Sequence, residues 1–262
     1  MISALWTSAT GMEAQQSNID VTSNNLSNVN TSGFKRSRTG FEDLMYQNIR
    51  QPGSPNAQGE EIPVGIEIGH GTKVASTQKL FEEGDVQNTE NPLDVLIEGD
   101  GFLEVTLPDG SQAYTRDGSL KQDSEGRLVT SEGYRISPEI TLPEDTEDIS
   151  IQSDGTVNVK RGEGDETETV GQLELFRFAN DAGLNSIGRN LYQQTESSGE
   201  PIFGAPGEEG LGTINQGFLE KSNVEVVEEM TNMIAAQRAY DVNSKSIKAA
   251  DEMLQTANQL RR

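Results

Sequence analysis

A single histidine, His70, stands between Gly69 and Gly71, and a Ser-His-Asp relay in this chain would have to pass through it. No strand-elbow-helix nucleophile pattern accompanies it elsewhere. The surrounding "GIEIGHG" resembles a phosphate loop only in its glycines, because the Lys-Ser/Thr ending is missing. Cysteine is absent, which removes thiol catalysis, disulfides and cysteine-held metals. With 43 acidic residues, some pair of carboxylates always lies close together, so a pair spaced for glycan hydrolysis carries no information. Acidic residues precede glycine at Asp100, Asp109, Asp117, Glu125, Glu132 and Asp154. These steps imitate calcium loops, but alternate ligands and a distal Glu are lacking. They read as turns, where Asp tolerates the geometry and Gly supplies positive φ. The lone tryptophan, Trp6 beside Leu5, reads as packing or interface rather than ligand stacking. The expectation is of a protein that is not an enzyme and takes no metal or cofactor.

The elements around these residues tell more. The chain has 262 residues, a net charge of −23 and only 32% hydrophobic residues, which suggests an elongated molecule with much surface. The charge is uneven: residues 1–50 balance, while residues 51–214 carry −22. Such a body repels nucleic-acid phosphates and anionic lipid, so neither nucleic acid nor membrane is an expected partner. No apolar run approaches the ~18 residues of a membrane span. The opening "MISALWTSATGME" has no basic residue before its apolar positions, so no conventional cleavable signal is expected.

Both ends read as helices with a seven-residue apolar repeat. Leu5, Met12, Ile19 and Leu26 form one line, with Ile2, Ala9, Gln16 and Ser23 beside it. Leu219, Val226, Met233, Tyr240, Ile247 and Leu254 form the other, with Met230, Gln237, Ser244 and Asp251 beside it. A period of seven keeps one seam facing a helical partner. The companions turn polar, and Asn18, Asn24, Asn25 and Asn28 crowd the end of the first helix. Such residues compete for the backbone, so these helices should be marginal alone. Packing between chains and an intramolecular hairpin remain equally open on this pattern. Gly33 suits a left-handed close, and Lys35, Arg36 and Arg38 follow it near the helix's negative end. Ser222 or Asn223 is placed to cap the last helix, with Glu225, Glu228 and Glu229 in its first turns.

Between the helices the period drops to two. Leu93, Val95 and Ile97 alternate, and Leu173 and Leu175 mark another strand. Ile149 and Ile151, a turn at Asp154-Gly155, then Val157 and Val159 read as a hairpin. Residues 46–71 form a Pro- and Gly-rich insert whose second half alternates Ile62, Val64, Ile66 and Ile68, which reads as one strand of an extended arm. The expected fold is α+β: a helical unit from residues 1–45 and 215–262 in a coiled-coil-like pair, an arm at 46–71, and a central, mainly antiparallel β domain at 72–214.

The stretch "NNLSNVNTSGFKR" resembles the N-terminal signature of the flagellar rod, hook and hook-associated family, with Asn24, Asn25, Leu26, Asn28, Thr31, Gly33, Phe34 and Lys35 on its marked places. The C-terminal "EEMTNMIAAQRAY" and the approach "LGTINQGFLEKSNV" are similar to the family's last helix and its lead-in. "NPLDVLIEGDGFLEV" and "YTRDGSLKQDSEGRLVTSEGYRI" are similar to its central β domain. Asp241 and Asp181 stand where Glu and Pro are usual. The length and the insert fit the distal-rod branch, with a proximal-rod or hook subunit as the alternative. The resemblance implies a helical homo-oligomer: a hollow, rigid, torque-bearing shaft in the basal body, spanning the periplasm. Its terminal helices would line the tube and its β domain would form the outer layer. The partners implied are the proximal rod and hook proteins, the L- and P-ring proteins, a rod cap and the flagellar type III export apparatus.

Overall fold

The computed structural model describes residues 2–53, 63–143, 145–161, 167–208 and 210–260. It has two long helices, α1 (Ile2–Ser27) and α2 (Val226–Leu260), with antiparallel strands between them, an α+β fold. The chain forms two compact units. One comprises Met1–Ser27, Ser37–Gln78 and Glu225–Arg262, and the other Asn28–Arg36 and Lys79–Val224.

In the first unit α1 and α2 pack together. Serine and threonine are tolerated in α1 because their hydroxyls bond back to the preceding turn: Thr7 to the Ser3 carbonyl, Ser17 to Glu13 and Ser27 to Ser23. The strands β1 (Ser37–Asp43) and β4 (Thr72–Lys79) pair with each other. Between them, β2 (Tyr46–Arg50) and β3 (Ile66–Gly69) pair antiparallel, with Tyr46 opposite Gly69 and Gln47 opposite Ile68. This ladder is the base of the arm read from the alternating isoleucines.

The second unit is built on a seven-stranded antiparallel sheet. Its strands lie in the order Asn185–Gly188, Leu191–Gln193, Gln112–Thr115, Leu103–Thr106, Arg135–Ser137, Leu128–Thr130 and Leu120–Gln122. The hairpin read around Asp154-Gly155 pairs Thr146–Ile151 with Thr156–Arg161, and Ile149 faces Val159 across it. The segment 93–97 differs from the alternation read in it. Val95, Leu96 and Ile97 are all buried, because this strand is covered on both faces and needs no polar side. An aliphatic core that includes Leu103, Val105, Leu120 and Leu175 adjoins an aromatic cluster of Phe102, Tyr114, Phe176, Phe178 and Tyr192.

These units part from the sequence-based division in three places. Strand β4 belongs with the helices because its partner is β1. Residues 28–36 and 215–224 belong with the β unit. Thr213–Gln216 pairs with Val95–Glu98, and Phe218–Glu220 pairs with Val86–Asn88. A fragment of residues 28–224 is therefore expected to unfold cooperatively in urea with the β circular dichroism of the full chain. A fragment of residues 46–214, which cuts both pairings, is expected to lose the cooperative transition. Equal stability of the two would show that the flanking segments are dispensable.

Candidate functional site

The structure gathers no group of three or more His, Asp or Glu side chains fit to hold a metal among the described residues. It does assemble a buried charge cluster from the signature motif. Ser32 to Arg36 run into the β unit through a turn in which Asn28 and Thr31 bond through main chain at 3.1 Å and side chains at 3.2 Å. Gly33 then takes φ +66°. A side chain there would be strained by the backbone and would also place its Cβ 2.8 Å from the Asp117 nitrogen, so only glycine fits. The Gly33 N–H donates to the Glu220 carbonyl at 2.9 Å.

Lys35 and Glu220 meet in the interior, with side chains 0% and 3% exposed. The Lys35 Nζ donates to Glu220 Oε1 at 2.5 Å and to the Glu82 carbonyl at 2.6 Å. Arg116 Nε donates to Glu220 Oε2 at 3.0 Å, and its Nη2 donates to the Gly99 carbonyl at 2.9 Å. The Gly84 N–H supplies a further bond to Glu220 Oε1 at 2.9 Å. Asn223 completes the junction: its Oδ1 accepts the Arg36 N–H at 2.7 Å, and its Nδ2 donates to the Leu80 and Glu82 carbonyls at 2.9 and 3.1 Å. Lys79 lies 4.7 Å from the centre of the buried Phe34 ring and donates to the Lys35 carbonyl.

One carboxylate serves two cations, and the acid-base properties follow. Burial, then the Arg116 charge, holds the Lys35 ammonium below its ordinary value despite its ion pair with Glu220. Burial pushes Glu220 up, but the Arg116 and Lys35 charges with the hydrogen bonds from Lys35 and the Gly84 N–H outweigh it, leaving the carboxyl below its usual 4.5. Burial alone lowers Lys79.

Two local readings of the sequence are corrected by this cluster. Lys35 does not serve the helix dipole, since α1 stops at Ser27 with no basic residue in its last turn; it is used as a buried ion partner. Asn223 does not cap α2, which begins at Val226, because its side chain is committed to residues 36, 80 and 82. The Ser222 hydroxyl is buried without a partner among the described residues. Glu220 and Arg116 were not singled out from sequence. The segment "FLEKSNV" in the family lead-in was the available signal for Glu220 and Asn223.

In the helical unit, Leu5, Met12, Ile19 and Leu26 are half-buried, as are Met233, Ile247 and Leu254, while Val226 and Tyr240 are exposed. The companion positions need correction. On α2 the inward partners are Glu229, Ala236, Asn243 and Ala250, three residues after each seam residue. Met230, Gln237 and Asp251 are exposed, and Ser244 is half-buried. On α1 the buried positions are Ser8, Ala14, Thr22 and Asn25, a face of small and polar side chains that lets the helices approach closely. A Cβ on Gly11 would lie 2.8 Å from Asn243 Nδ2. Asn25, 2% exposed, bonds both the carbonyl and the N–H of Ser37 at 2.8 and 2.9 Å. That is the structural use of the signature's second asparagine. Of the arm residues, Val64, Ile66 and Ile68 are exposed, and Ile62 lies outside the described residues.

Three family models match the chain: "Flagella basal body rod protein" over residues 5–35, "Flagellar hook protein FlgE/F/G D1 domain" over 96–159, and "Flagellar basal body rod FlgEFG protein C-terminal" over 215–260. Among curated relatives, the flagellar basal-body rod protein FlgG of Borreliella burgdorferi is 52% identical, with 100% of each chain covered. That of Buchnera aphidicola from Schizaphis graminum is 50% identical over 99% of this chain and 100% of its own. That of Caulobacter vibrioides is 46% identical over 98% and 99%.

Replacing Lys35 by Ala leaves Glu220 buried with one cation fewer and should cost about 3–5 kcal/mol of β-unit stability in urea titrations. Because the folded carboxyl of Glu220 lies below 4.5, its contribution is full above that value and is lost as pH falls through the folded one. Glu220→Gln should therefore flatten part of the acid-side decline in stability. An unchanged acid profile would mean that Glu220 is not ionised in the folded chain.

Proposed function

From the flagellar basal-body rod family, to which this chain belongs, we infer how its two units serve a structural subunit of the distal rod. The chain is such a subunit and resides in the basal-body rod. Its role is mechanical, and we assign it no catalytic step. The helical unit polymerises into the tube, and the arm at 46–71 braces neighbouring subunits.

One observation carries this reading: the helical unit leaves large apolar side chains in water. Trp6 is 62% exposed, Val227 72%, and Met230, Ile234 and Met253 about half. Met45 just before the arm, and Tyr46, Ile49 and Val64 on it, are exposed as well. Apolar surface of this extent marks contact with another protein, and two long helices with free faces suit packing against further copies of themselves. The seam residues Leu5, Met12, Ile19, Leu26, Val226, Met233, Tyr240, Ile247 and Leu254 then act both within the helix pair and at its flanks toward neighbours. The proximal rod and hook proteins, as axial neighbours, and the ring proteins, rod cap and type III export apparatus complete the proposed partners.

The exposed positions give a cleaner test than the half-buried seam. Val227→Asp combined with Ile234→Asp should leave monomer stability within about 1 kcal/mol, since neither side chain is buried. The same pair should abolish assembly, read as basal bodies with truncated rods and no hook under electron microscopy. Motile cells with full-length rods in that strain would overturn the reading.

A further inference from the structure

A second feature of the β unit has no part in the junction around Glu220. An open groove of about 490 Å³ lies against the strands Leu103–Thr106, Gln112–Thr115, Leu175–Arg177 and Ile202–Gly204. Three rings form one wall: Tyr114 lies 5.6 Å from Phe176, and Phe176 lies 6.0 Å from Phe203 at an interplanar angle of 31°. Phe176 and Phe203 are cross-strand neighbours, yet Phe203 is 63% exposed. Three carboxylates, Glu104, Glu174 and Glu200, share the lining, and no basic side chain does.

Glu104 is the unusual member. It is 5% exposed, sits opposite Tyr114 in the sheet, accepts a hydrogen bond from Gln112 Nε2 at 3.2 Å and interacts with the Tyr114 hydroxyl. No described Lys or Arg forms an ion pair with it. A buried carboxylate without a countercharge is costly, whereas the buried Glu220 has two cations. The groove therefore offers at its floor a buried carboxylate with polar partners but no cationic one among the described residues, and a stacked aromatic face at its side.

We propose that this groove receives an arginine side chain from a basic segment of a second protein. A guanidinium can stack on Phe203 and Phe176 while its N–H groups reach the carboxylates in a planar fork, which an ammonium cannot do. Another copy of this chain is a poor donor, because residues 51–214 carry −22 and like charge opposes their approach. The aromatic wall would also suit a sugar ring, but three carboxylates favour a cation over a neutral or acidic glycan.

The test is amide chemical-shift titration of the full-length monomer with the blocked tripeptides acetyl-Gly-Arg-Gly-amide, its lysine form and its citrulline form. The arginine peptide should shift amides of residues 104, 174, 176 and 203, and bind about threefold or more tighter than the lysine peptide. Citrulline, which keeps the shape and loses the charge, should produce no saturable shift. Glu104→Gln should weaken arginine binding about tenfold, and Phe203→Ala, at an exposed position, about threefold. Equal binding of citrulline and arginine, shifts confined to other surfaces, or occupation of the groove by an N-acetylglucosamine oligomer instead of arginine would each overturn the proposal.

Discussion

The β unit is organised around a carboxylate that has been taken out of water. Burying an ionised Glu costs several kcal/mol unless opposite charge and hydrogen bonds replace its hydration. Glu220 obtains these from Lys35, Arg116 and the Gly84 N–H. Lys35 is 185 residues away in sequence and Arg116 is 104 away. The cluster forms only when both flanks of the chain have reached the central strands. Gly33 and Asn223 exist in the same spirit. Gly33 lets the backbone pass against Asp117, and Asn223 replaces a missing strand partner for residues 36, 80 and 82.

This explains a division of labour within the signature. Asn25 works in the helical unit by fastening Ser37 to the end of α1. Gly33, Phe34 and Lys35 work in the β unit. The motif is short in sequence but contributes side chains to both compact units. The helical unit has the opposite energetic character. Its inward face on α1 is Ser8, Ala14, Thr22 and Asn25, which buries little apolar area, while much larger side chains face water. Large apolar side chains left in water are a reserve of stability that is realised when a partner covers them.

Local chemistry was legible wherever it acted over a few residues. The existence of the last helix, the Asp154-Gly155 hairpin, the left-handed Gly33 and the strand through Ile66 and Ile68 follow from period and turn preference, whereas Leu219, read at the head of the helical line, lies in the strand Phe218–Glu220 before α2. The companion positions on α2 were read one residue late, at Met230 and Gln237. Bulk and polarity drew attention, while the true inward residues, Ala236 and Ala250, are small. Alanine is uninformative about burial in sequence and decisive in packing, where it sets how near two helices come. Lys35 and Asn223 carried plausible local roles, as a dipole partner and a helix cap. Those roles lost to long-range partners that no local window contains. Val95 to Ile97 hid its strand period because both faces are covered.

The central claim is that Lys35 and Glu220 stabilise the β unit through each other, and a double-mutant cycle tests it most directly. Urea unfolding of the wild-type chain, Lys35→Met, Glu220→Gln and the double variant would give their coupling free energy. The account predicts coupling of about 2 kcal/mol or more, with the double variant more stable than the sum of the single losses implies. Additive losses within about 0.5 kcal/mol would contradict it, and would mean that the two residues stabilise the fold through separate neighbours.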